Sequence, residues 1–176
     1  KRGIQMQRAP LMDVTYAFFN MDHPVVGGYT PDKVALRRAI SLAYNTAEEV
    51  RLPRRNQAIV SQGPIMPLTR AYNANTRSEM GVFDRSKAMA LLDMFGYTDK
   101  DGDGWRDQPD GKPLTLEYAT ISTADYRELN EIWKKNMDAI GVRLQLQPGQ
   151  AAPAKAVPTT WSRLGRSVCK SVPRKA

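Results

Sequence analysis

Two stretches of this chain alternate with period two. Leu114, Leu116 and Tyr118 interleave with Thr115, Glu117 and Ala119, and Val142, Leu144 and Leu146 interleave with Arg143, Gln145 and Gln147. Such patterns predict strands with one buried face. Between them Leu129, Ile132, Trp133, Met137 and Ile140 recur at helical spacing, behind a Thr123 cap and before a Gly141 stop. Strand, helix and strand in that order predict a crossover unit at about 114–147 with parallel strands. The helical period recurs in Val34, Leu36, Ala39, Ile40, Ala43 and Tyr44, with Thr30 as cap and Pro31 preset for the first helical position. It recurs again in Ala88, Leu91, Leu92 and Phe95, between an Asp84 cap and a Gly96 stop. Thr46 to Glu49 reads as a capping box opening a short helix that ends by Pro53. Val14 to Asn20, β-branched and aromatic, predicts a buried strand, and Ile4, Met6 and Arg8 a weaker one. Residues 62–67 read as an extended proline segment and 68–82 as an ordered loop. The pattern as a whole is α/β.

Composition changes this picture at one end. The 176 residues carry 26 Lys/Arg against 18 Asp/Glu, a net charge of +8. Lys155, Arg163, Arg166, Lys170, Arg174 and Lys175 account for most of that excess, and residues 151–176 hold no acid. Residues 1–150 are nearly neutral at net +2. Two domains of unlike character follow: a body over 1–150, and a divergent basic tail over 151–176 with no periodicity and expected to be disordered or non-native. A nucleic-acid binder driven by that tail is one alternative function, but the neutral body argues for no nucleic-acid partner. There is no apolar run of membrane-spanning length, so no membrane insertion is expected. The chain begins at Lys1 without a signal-peptide pattern and reads as an internal piece of a longer protein. The single cysteine, Cys169, lies in the tail.

Catalytic chemistry is scarcely represented. His23, the only histidine, precedes a proline and reads as an exposed turn residue. Gly27-Gly28 before a helix suggests a phosphate cradle, but Pro31 removes an amide such a site would use. The basic run Arg51 to Arg55 lacks interleaved aromatics and reads as a solvated helix end. Glu131 and Lys135 are spaced as a helical surface pair. No serine stands in a nucleophile-elbow context, and no separated acid/base pair is visible. The chain is expected not to be an enzyme.

The candidate chemistry is an acidic loop. From Asp99, carboxylates stand at Asp99, Asp101, Asp103, Asp107 and Asp110, loop positions 1, 3, 5, 9 and 12, with Gly104 at position 6. Calcium takes six to eight oxygens, and alternating carboxylates can wrap one ion while the glycine makes the sharp turn and Trp105 offers its carbonyl. The expected metal ligands are therefore Asp99, Asp101, Asp103, Trp105, Asp107 and Asp110, holding a structural Ca²⁺. Asp110 departs from the usual bidentate glutamate, and no helix follows, so this is not an EF-hand pair. Without a cation, five carboxylates should repel and strain the loop open. A calcium-stabilised structural or interaction module is thus a second alternative function.

One resemblance gathers most of these segments. Asn20, Val34 to Tyr44, Gln62-Gly-Pro-Ile-Met-Pro67, Phe83 to Leu92, Gly96-Tyr97, the Asp99–Asp107 loop, Asp110 to Leu114 and Ile132 to Gly141 occur in this order. The series is similar to the C-terminal lobe of extracellular solute-binding proteins of the oligopeptide/dipeptide ABC-transporter type, family 5. The resemblance covers roughly residues 1–150. It implies a partial C-terminal lobe of a type II periplasmic-binding-protein fold, in a periplasmic or extracellular receptor, expected monomeric, that delivers a peptide or similar solute to a membrane permease. The segment in which peptide-binding members place an ammonium-anchoring aspartate lies past the point of divergence, so substrate-binding residues stay unassigned. A single lobe is expected not to hold ligand alone, and its open sheet edges imply marginal stability.

Overall fold

A computed structural model describes residues 13–149. The chain forms α1 (Pro31–Ala43), α2 (Thr46–Arg51), a 3₁₀ turn (Glu79–Gly81), α3 (Arg85–Met94), β1 (Thr115–Ile121), α4 (Ala124–Asp138) and β2 (Arg143–Gly149). No helix among the described residues is long and apolar enough to cross a membrane. The strand expected at 4–8 and the tail at 151–176 lie outside the described residues.

The predicted crossover unit is present. β1 pairs with β2 in parallel, with Leu116 opposite Leu144 and Tyr118 opposite Leu146. Period two therefore brings the apolar residues of both strands to one side, and Leu114, Leu116, Tyr118, Val142 and Leu144 are buried. Helix α4 covers them with Leu129, Ile132, Trp133, Met137 and Ile140, all buried. Trp133 joins this unit to the first helices. Its ring stacks on Tyr44 at 3.8 Å between centroids and 20° between planes, and lies 5.3 Å from Tyr118. Helix α1 packs against α3 through Leu36, Ala39, Ile40, Leu42, Ala88 and Leu92, in one core cluster continuous with the strand residues.

Local chemistry sets the helix ends. The Asp84 side chain accepts from the Lys87 amide at 2.9 Å, and the Asp84 amide donates to Leu42 O at 2.9 Å, so the cap of α3 is tied to α1. Helices α3 and α4 stop alike. Gly96 and Gly141 take φ of +80° and +73°, and Tyr97 and Val142 donate back to Leu92 O and Met137 O. Only glycine adopts that conformation without strain. The Gly27-Gly28 pair serves close approach instead of phosphate binding: a Cβ on Gly27 would lie 2.2 Å from Met21 O, and Arg37 donates to the carbonyls of Val26 and Gly28.

Several expectations fail for identifiable reasons. Among the described residues, 14–20 form no buried strand: they carry a single-residue bridge at Phe19, and Tyr16 and Phe18 stay exposed. Strand propensity alone does not extend one bridge into a ladder. Val34 faces outward, while Ala35 and Leu42 are buried. Asn45, not Thr46, caps α2, accepting from the Glu48 amide at 3.0 Å. Lys135 reaches Glu48 of α2 at 2.7 Å instead of Glu131, while Lys134 takes the local partner Asp138 at 2.8 Å. Tertiary proximity outbids helical spacing here. The basic run at 51–55 behaves as the end of α2, Arg54 pairing with Glu49 at 3.1 Å.

Replacing Trp133 with alanine should cost about 3–5 kcal/mol by leaving a cavity between α4, Tyr44 and Tyr118, read as a lower urea midpoint. A second expectation concerns Glu79, which binds Arg38 at 2.9 Å and Lys87 at 2.7 Å and so ties the 3₁₀ turn to α1 and α3. The bonds from Arg38, then Lys87, hold its carboxyl at about 2, against 4.5 normally. A depressed folded-state pKa contributes stability above the unfolded value and loses it as pH falls toward the folded one. Stability should therefore drop between pH 4.5 and about 2, and Glu79→Gln should flatten that part of an acid-denaturation curve.

Candidate functional site

The acidic loop closes on itself. Asp107 N donates to Thr98 O at 2.9 Å, Gln108 N to Lys112 O at 2.8 Å, and Asp107 bridges Pro113 in antiparallel sense. Arg106 fastens this closed loop to the core. Its amide donates to Gly141 O at 2.7 Å and its Nε to Ile140 O at 2.8 Å. Its Nη1 donates to Tyr97 O and to the Asp93 carboxylate, both at 2.5 Å. One side chain thereby binds the loop to the ends of both α3 and α4.

The carboxylates are not strained apart as expected, because backbone donors answer them. Asp99 accepts the amides of Gly102 at 2.7 Å and Gly104 at 2.9 Å. Asp101 accepts that of Asp103 at 3.1 Å, Asp103 that of Trp105 at 2.9 Å, and Asp107 that of Lys100 at 2.9 Å. Five amides thus turn inward on negative charge, which relieves the repulsion. The six expected metal ligands separate into groups. Asp99, Asp101 and Asp107 bring one oxygen each within 4.8 Å of the others. Asp103 turns to Arg143 at 2.6 Å, and Asp110 to Lys112 at 2.7 Å. The Trp105 amide lowers the Asp103 pKa, with Arg143 adding to it. The Lys112 ammonium lowers that of Asp110. The Trp105 ring lies 5.3 Å below the Arg143 guanidinium. With Met89, Asp93, Ile140 and Gly141 it lines a shallow depression of about 260 Å³.

His23 sits in a turn, as expected, but is half-buried. Its Nδ1 accepts the Val25 amide at 3.2 Å, and burial lowers its pKa. The neutral ring is thus part of the turn's hydrogen bonding.

A second candidate place comes from topology, with no residue-level sign of it in the sequence. The acidic loop runs into β1, and its Arg106 anchor holds the turn that runs into β2. It therefore stands at the amino ends of both strands. The carboxyl ends lie about 20 Å away, seven residues at ~3.3 Å each. There Thr120, Ile121, Ser122 and Thr123 lead into α4, and Gln147, Pro148 and Gly149 finish β2. Thr120 donates its hydroxyl to Asn130 Oδ1 at 2.8 Å and is buried, whereas Ser122 and Thr123 are exposed.

Comparison with known proteins supplies the context. Residues 1–164 match the family described as bacterial extracellular solute-binding proteins, family 5 Middle. No curated protein sequence matches the chain. Among solved structures, the fold is similar to NikZ from Campylobacter jejuni in complex with Ni(L-His), with a TM-score of 0.69 and 24% identity, over 82% of this chain and 28% of that one. It is similar to NikA from Brucella suis in complex with Fe(III)-EDTA, with a TM-score of 0.65 and 24% identity, over 79% and 26%. It is also similar to the oligopeptide-binding protein AppA from Bacillus subtilis in complex with a nonapeptide, with a TM-score of 0.65 and 20% identity, over 78% and 26%. The chain thus spans between a quarter and a third of the length of these proteins.

Arg106→Met keeps much of the buried stem but strands the carbonyls of Tyr97 and Ile140. It should cost roughly 1.5–3 kcal/mol, read by urea denaturation. Amide exchange should accelerate across 98–113 more than in α1.

Proposed function

The chain belongs to the bacterial extracellular solute-binding proteins of family 5, and we propose that it is part of the C-terminal lobe of the substrate-binding component of an ABC transporter for peptides or related solutes. Its architecture is α/β, part of a type II periplasmic-binding-protein fold. The observation that carries the reading is the family match over residues 1–164. On this reading the receptor works outside the cytoplasmic membrane, as a monomer, and hands its solute to a membrane permease without catalysing a reaction.

The solute belongs at the carboxyl ends of β1 and β2. In open α/β sheets, ligands bind in the crevice beyond those ends. Residues 119–124 and 145–149 contain no charged side chain, so this wall would offer hydroxyls, amides and backbone groups. Such a surface recognises groups common to many solutes more readily than one fixed charge. It is also only one wall. Small-ligand sites bury 70–90% or more of the ligand, and a hinged receptor reaches that by closing a second lobe.

In a protein carrying both lobes, titration calorimetry against mixed peptides should show binding, while the 176-residue chain gives flat isotherms. Ser122→Trp in the two-lobed protein should weaken binding tenfold or more, about 1.4 kcal/mol. Asp101→Ala, at the opposite pole, should leave the affinity unchanged. The reverse ranking would move the solute to the acidic loop.

A second reading concerns the loop alone and is compatible with the first. The convergence of Asp99, Asp101 and Asp107 favours a structural calcium clasp. At an affinity of order 10⁻⁴ M, about 1 mM calcium would add roughly 1.4 kcal/mol, a rise in Tm of about 3–6 °C. EDTA should reverse the rise and Asp101→Ala should abolish it. A melting curve indifferent to calcium would remove the clasp and leave the receptor reading untouched.

A further inference from the structure

The acidic loop contains three Asp-Gly bonds, at 101–102, 103–104 and 110–111. Asp-Gly is the dipeptide most prone to isomerise, because glycine places no side chain in the path of its own nitrogen. All three aspartates are exposed. The glycines take φ of +79°, +87° and +85°, and nothing lies within 4 Å of where a Cβ would stand. The three differ in how their carboxylates are held. Asp103 is bonded by the Trp105 amide and by Arg143, and Asp110 by the amide and the ammonium of Lys112. Asp101 accepts one amide, at 3.1 Å, and pairs with no cation among the described residues. What restrains this bond is the nucleophile: the Gly102 amide is bound by Asp99 at 2.7 Å.

We propose that Asp101-Gly102 is a site of isoaspartate formation in this chain, gated by the Asp99 carboxylate that holds the Gly102 amide. The Gly102 nitrogen attacks Asp101 Cγ once Asp99 lets go. The new Cγ–N bond forms, the amide proton passes to solvent, and the carboxyl oxygen departs as water, leaving a succinimide. Water then opens the ring at the former backbone carbonyl, so the chain continues through Cγ at unchanged mass. The product carries an extra methylene in its backbone. The Asp101 carboxylate moves out of the group it forms with Asp99 and Asp107, so ageing at one bond dismantles the convergence of three acids.

The test is to age the full chain near neutral pH in heavy-oxygen water. Isoaspartate is measured with an isoaspartyl methyltransferase and located by peptide mapping with electron-transfer fragmentation. Conversion at Asp101 should exceed that at Asp103 and Asp110, and Asp99→Ala should raise it several-fold. Asp107→Ala removes the acceptor of the Lys100 amide without touching Gly102, and should leave the rate at Asp101 near that of the parent. Equal conversion at the three bonds, or equal acceleration by both variants, overturns the proposal. Urea supplies an arm that needs no variant: unfolding should erase the ranking, and a ranking that survives overturns the gate.

Discussion

Two parallel seven-residue strands cannot make a stable sheet without a helix over their shared face, and α4 over β1 and β2 is the constraint the rest obeys. Parallel neighbours need a crossover because no tight turn joins them, and the crossover must cover what the strands expose. Period two places Leu116, Tyr118 and Leu144 on one face. The helical period places Leu129, Trp133, Met137 and Ile140 against it. Trp133 makes this packing more than local. By stacking on Tyr44 it carries the covered face to the end of α1, and α1 extends it to α3. Three helices and two strands thereby share one apolar cluster.

The loops then divide by which end of the strands they serve. At the amino ends the chain is heavily bonded: the Arg106 side chain reaches α3 and α4, and every carboxylate of the acidic loop meets a donor. At the carboxyl ends it is short and polar, with exposed hydroxyls at Ser122 and Thr123. A pole tied down by charge-assisted bonds suits a fixed anchor. The charge that drew attention to the loop in the sequence is thus engaged in holding the loop itself.

How much of this was legible depended on how local the governing interaction is. The crossover unit, the Asp84 cap and the Gly96 and Gly141 stops were readable because period, side-chain oxygen and left-handed φ all act within a few residues. Val14 to Asn20 misled because strand formation needs a partner that the segment itself does not contain. Lys135 misled because the fold brings Glu48, far away in sequence, to 2.7 Å from its ammonium. The loop's internal bonding was hidden for a related reason: carboxylate spacing is visible in sequence, whereas the amides that turn inward are set by backbone conformation. The family was legible from an ordered series of segments, none decisive alone. The carboxyl-end wall was not, since Ser122 and Thr123 look like any helix start until topology places them there.

The two-stranded sheet is a small platform for the packing it carries. Among the described residues β1 and β2 form a two-stranded sheet, paired with each other. The sheet's other face, carrying Thr115, Glu117 and Ala119, is half-exposed. A face only half-covered keeps part of its surface in contact with water, and more chain laid against it would cover it. The solved structures of similar fold are about three times as long. What the described residues supply is rigidity, through the packing of Trp133 and the bonding of Arg106.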